Sequence, residues 1–159
     1  MTAEISERLP GSSRTDAAGQ ERTFTRILVV VGDEASMAAV QVAGELAARL
    51  RAHVLAVQVE VADVPCCGPS PEACALGDLG AVLAQAMSQL RQRGVHCRGE
   101  RWRTQRHRVV DALLKAADEY EADLLVIRSR RRSGLRDAIS RDLGLRVARC
   151  AARPVLLVR

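Results

Sequence analysis

The residues of this 159-residue chain best suited to chemistry crowd into one stretch: Arg128, Arg130, Arg131, Arg132 and Arg136 lie in RSRRRSGLR, with Arg141 and Asp142 just beyond. Each guanidinium offers a planar fork of donors that matches a phosphate or a carboxylate. What the stretch lacks is glycine at its head. Glycine in a loop lets a phosphate reach backbone N–H groups and supplies the positive φ angles that turn them inward, whereas arginine blocks close approach and brings charge on a long arm. Asp142 stands just before an apolar helical run, where it serves as an N-cap and sets a negative charge at the spot a phosphate would take. These residues describe a nucleotide-type crevice whose phosphate side has been rebuilt.

Other reactive residues carry weaker signals. Cys66, Cys67 and Cys74 crowd one connection without a C-x2-C pair or a nearby histidine, so they read as ordinary thiols and no metal is expected. His53, His96 and His107 are dispersed, and no G-x-S-x-G elbow accompanies them, which argues against a catalytic triad. With 2% aromatic residues the chain has almost nothing to stack on bases, so the arginine run is not read as a nucleic-acid site.

The elements that position the arginine run follow from periodicity. Thr25 to Val31 holds the run Ile27 to Val31, a strand buried on both faces, and Gly32 and Asp33 break it. Apolar residues at three-to-four spacing then predict a helix from about Glu34 to Arg51. His53 to Val61 is strand two, followed by a Pro- and Gly-rich connection to about Gly77. Leu79, Val82, Leu83, Ala86, Met87 and Leu90 form a helical stripe closed by Arg91, Arg93 and Gly94. Val95 to Arg103 alternates with charges as an edge strand does. A helix from Val109 to about Glu121, a strand at Ala122 to Ile127, a helix at about Leu143 to Ala151 and a final strand at Pro154 to Val158 complete the alternation.

Alternation of this kind demands right-handed crossovers and a parallel sheet covered by helices on both faces, with ligands beyond the carboxyl ends of the strands. The expected fold is an α/β, flavodoxin-like or Rossmann-like three-layer sandwich with a five-stranded sheet in the order 3-2-1-4-5. That order brings Gly32 and Asp33 beside the arginine run. The expected domain spans residues 24–159, behind a polar tail, residues 1–23, that lacks periodicity and reads as disordered. A net charge of +5 is carried almost wholly by arginine, and no apolar stretch reaches the length a membrane helix needs. The reading is a cytoplasmic protein with reduced thiols.

From about Arg26 to Val158 the chain resembles the universal stress protein family. The resemblance is carried by ADLLVIRSRRRSGLRDAISRDLGLRVARCAARPVLLV, by EAS after strand one and by ADEYEADLL. It implies a stress-response function without catalysis, and homodimers that pair the final strand, here Pro154, Val155, Leu156, Leu157 and Val158. The family includes members that bind ATP and members that do not. Those that bind ATP share Gly, two residues, Gly, nine residues, Gly, then Ser or Thr, which here fall at Arg128, Arg131, Arg141 and Asp142. None matches. The adenine-side Asp that ends strand one falls at Gly32, with Asp33 adjacent and able to take that role. The resemblance thus implies a degenerate crevice without ATP in the usual manner. The alternative is a module that uses its arginines for a nucleotide, a cyclic nucleotide or another phosphate-bearing ligand; a protein partner is the other candidate.

Overall fold

The computed structural model describes residues 24–61, 76–129 and 142–159. The predicted tail, the cysteine-bearing connection and most of the arginine run lie outside them. The elements are β1 (Arg26–Val31), α1 (Met37–Leu50), β2 (His53–Val61), α2 (Leu76–Gln92), β3 (Cys97–Thr104), α3 (Val109–Glu119), β4 (Leu124–Arg128), α4 (Leu143–Cys150) and β5 (Val155–Val158), with 3-10 turns at Glu34–Ser36 and Arg106–Arg108. The sheet is five-stranded and runs β3-β2-β1-β4-β5, each neighbouring pair parallel, in agreement with the order expected from the alternation.

Two cores hold the layers together. Ile27, Val29, Val31, Val54, Ala56 and Val126 point to α1 and α2, where Val40, Ala43, Leu83, Met87 and Leu90 meet them. Leu28, Leu55, Val57, Leu125 and Ile127 point the other way, onto Val110, Leu113 and Ala117 of α3 and Val147 of α4. The period-2 alternation of a strand thus feeds both layers from one apolar run, and each such fully buried leucine or isoleucine contributes about 1.5–3 kcal/mol. Small residues let the layers approach: at Gly99 of β3 an added Cβ would lie 3.1 Å from Met87 Sδ. Gln58 is the exception, fully buried with neither amide atom bonded among the described residues.

The edge strand β3 carries its charge as expected, and much of it is neutralised locally. Glu60, at the end of β2, pairs with Arg101 and lies 3.7 Å from Arg103, while Arg98 pairs with Glu100 at 2.9 Å. Helix ends are defined by left-handed residues: Arg51 after α1 (φ 54°), Gly94 after α2 (φ 71°) and Glu121 after α3 (φ 53°).

The start of β1 is fastened to the start of β4 by one carboxylate. Asp123 Oδ2 accepts from the N–H groups of Thr25 (2.6 Å) and Arg26 (2.8 Å) and from the Thr25 hydroxyl (2.8 Å). Arg26 in turn donates to the Tyr120 carbonyl at 3.2 Å and to Glu121 at 2.7 Å. Burial beside this clasp pushes the Tyr120 phenol up to about 12, with Arg26 pulling it slightly back. An unfolded tyrosine ionises near pH 10. Between those values the unfolded chain has lost the proton that the fold retains, so stability is full below about pH 10 and declines as pH rises toward 12. Tyr120 is the chain's one tyrosine, so tyrosinate absorbance reads it alone. We expect it to ionise near 12 in the native protein, and the alkaline loss of stability to shrink in Tyr120→Phe.

Candidate functional site

The carboxyl ends of β1 and β4, where the crevice is expected, lie side by side, because neighbouring parallel strands release their chains at the same pole. After Val31 the chain turns at Gly32, whose N–H donates to Ser36 Oγ at 3.2 Å. Asp33 caps the 3-10 turn, accepting from the Ser36 N–H at 3.0 Å through Oδ1. Its other oxygen faces β4, where Oδ2 lies 3.8 Å from a guanidinium nitrogen of Arg128. The two segments that the topology rule places together are therefore in contact. Arg128 is the last residue of β4 rather than the first of a loop, and pairs with Val158 of β5.

The next residue governs the far wall. Ser129 donates its N–H to the Val158 carbonyl at 2.8 Å and its hydroxyl to Asp142 Oδ2 at 2.7 Å. Asp142 Oδ1 accepts the Gly144 N–H at 2.9 Å, which makes Asp142 the N-cap of α4, as its position in the sequence predicts. Asp142 is only 7% exposed. A buried carboxylate thus occupies the positive end of α4, satisfying a donor that a phosphate would otherwise use. Gly144 permits the tight approach: a Cβ there would meet Leu157 Cδ2 at 2.9 Å, Asp142 Oδ1 at 3.2 Å and the Arg128 carbonyl at 3.4 Å.

Of the six crevice residues expected from sequence, Gly32, Asp33, Arg128 and Asp142 gather at this pole, whereas Arg131 and Arg141 lie outside the described residues. Ser129, Ser36 and Gly144 are contributors that sequence reasoning passed over; a hydroxyl directly after a strand and a glycine two residues past an N-cap are the signals that mark them. At the sheet edge, Val155, Leu156, Leu157 and Val158 are each half-buried and pair only with β4 among the described residues, while Pro154 is exposed. His53 and His96, far apart in sequence, have their rings 5.5 Å apart at the opposite pole. Among the described residues no three His, Cys, Asp or Glu side chains are grouped to hold a metal, and no helix is long and apolar enough to cross a membrane.

Comparison with known proteins agrees with this architecture. The model of the universal stress protein family matches residues 23–159. A universal stress protein family member from Burkholderia pseudomallei is 27% identical, with 87% of this chain and 98% of that one aligned and a TM-score of 0.67. A universal stress protein solved in complex with cAMP is 26% identical over 86% of this chain and 98% of its own, with a TM-score of 0.68. UspA from Lactobacillus plantarum is 25% identical over 87% and 100% of the two chains, with a TM-score of 0.61. No curated protein matches the sequence.

The Ser129–Asp142–Gly144 arrangement predicts a stability effect separable from ligand binding. Asp142→Ala removes the cap and leaves the Ser129 hydroxyl without this acceptor, at a cost of about 1–2 kcal/mol. Asp142→Asn, which keeps an acceptor, should cost less. Urea unfolding with an unchanged slope and a shifted midpoint reads the difference.

Proposed function

The chain belongs to the universal stress protein family, and from that premise we propose that it is a non-enzymatic, cytoplasmic stress-response regulator whose crevice does not take ATP in the usual way. The observation that carries this reading is the Asp142 carboxylate on the first turn of α4, bonded to Gly144 and Ser129. A triphosphate brought there meets a fixed negative charge and finds the cap position filled. Arg128, Arg131 and Arg141 stand where glycine would expose backbone N–H groups, and side-chain charge does not replace that access.

A second reading is favoured by the relative solved with cAMP. A cyclic nucleotide carries a single phosphodiester charge and no polyphosphate tail to be wrapped. Arg128, tied to Asp33 by a long 3.8 Å pair, is placed to turn to such a group. Both readings are tested in one melting series. A ligand at about 100 times its Kd stabilises a fold by about 2.7 kcal/mol. Mg-ATP should leave the melting temperature unmoved, and a clear rise refutes the first reading. A rise with cAMP that disappears in Arg128→Gln supports the second; the absence of any rise with cAMP ends it.

We also propose a homodimer through β5. Its apolar edge from Val155 to Val158 presents backbone donors and acceptors that no strand covers among the described residues, and an apolar strand at a sheet edge invites pairing. Sedimentation at micromolar concentration should give twice the chain mass, with Leu156→Lys shifting it to the monomer. A wild-type monomer at that concentration contradicts the proposal.

A further inference from the structure

At the amino pole, opposite the crevice, three strands begin side by side. Arg26 of β1 is in register with His53 of β2, and the pairing of Val54 with Cys97 sets His96 beside His53. Side chains alternate along a strand, so Arg26, His53 and His96 form a row on the face covered by α3. With Arg98, Glu119 and Tyr120 they line a groove of about 400 Å³.

The two imidazole rings are 5.5 Å apart between centroids and tilted by 38°. Two imidazoles that share one ion, each nitrogen about 2.0–2.1 Å from it, hold their ring centres about 5–6 Å apart. We propose that His53 and His96 form a two-imidazole clip for a late first-row divalent cation of the Zn2+, Ni2+ or Cu2+ class, with its other coordination positions open to water or to a ligand in the groove. Imidazole nitrogen suits these ions, and both side chains are exposed.

The surroundings admit a cation despite two nearby arginines. Arg26 is neutralised by Glu121 at 2.7 Å and Arg98 by Glu100 at 2.9 Å. Glu119, 3.6 Å from Lys115, lines the groove, and the C-terminal end of α3, which carries partial negative charge, closes one side of it. Asp123 is committed to the β1 clasp. Cys97 stays outside the clip: its Sγ lies 3.7 Å from the Met87 carbonyl and packs toward the α1 and α2 layer, on the other face of the sheet. With no third such ligand grouped nearby among the described residues, the ion is exchangeable rather than structural.

The test adds Ni2+ to the full chain at mildly alkaline pH and follows the ring-proton signals of the three histidines. Signals of His53 and His96 should broaden together while His107 stays sharp, and a chelator should reverse the effect. His53→Asn should weaken the response of His96 about tenfold or more, with thermal unfolding confirming that the exposed substitution leaves the fold intact. Broadening of all three histidines in step overturns the proposal. So does an unchanged response of His96 in His53→Asn.

Discussion

An all-parallel sheet covered on both faces leaves no interior place for charge, and this exclusion organises everything else in the molecule. Apolar runs such as Ile27–Val31 and Leu124–Ile127 fill the strands, so polar chemistry is displaced to the two poles where strands begin and end. A carboxylate governs each pole. Asp123 draws the starts of β1 and β4 together, and Asp142 ties the end of β4 to the first turn of α4. Strand β4 is thereby held at both ends, and its last residue, Arg128, stands 3.8 Å from Asp33 just past the end of β1.

Most of this architecture is legible in the residues because two periods coexist without conflict. Branched runs mark strands, three-to-four stripes mark helices, and the switch between them dictates the crossovers. The bounds differ where local geometry outweighs periodicity. Thr25 and Asp123 are assigned by pattern to strand or its margin, yet both are engaged in side-chain hydrogen bonds of the clasp. The 3-10 turns at Glu34–Ser36 and Arg106–Arg108 are too short to show a period. Helix α2 starts at Leu76, inside the stretch expected to be irregular, because its glycines read as breakers although Leu76, Leu79 and Leu83 keep helical spacing.

The site was legible in outline through topology, and its details were not. That Gly32 and Asp33 face Arg128 follows from strand order alone, and that Asp142 caps a helix follows from its place before an apolar run. The bond from Ser129 to Asp142 spans 13 residues and leaves no periodic trace. The adjacency of His53 and His96 is similarly hidden, since it depends on the β2–β3 register. Arginine at the sheet edge is hidden in the same way: which acid each one meets depends on register, and Glu60 and Glu100 take up the charge of Arg98, Arg101 and Arg103 within the chain.

The self-capped end of α4 bears on what such a protein could report. A helix terminus that draws its counter-charge from the side chain of its own capping residue is already at rest, and if ATP does not enter there, a swing in cellular energy status has no handle on it. Information would then travel through abundance and encounter: how many copies the cell makes under duress, and what surfaces they meet.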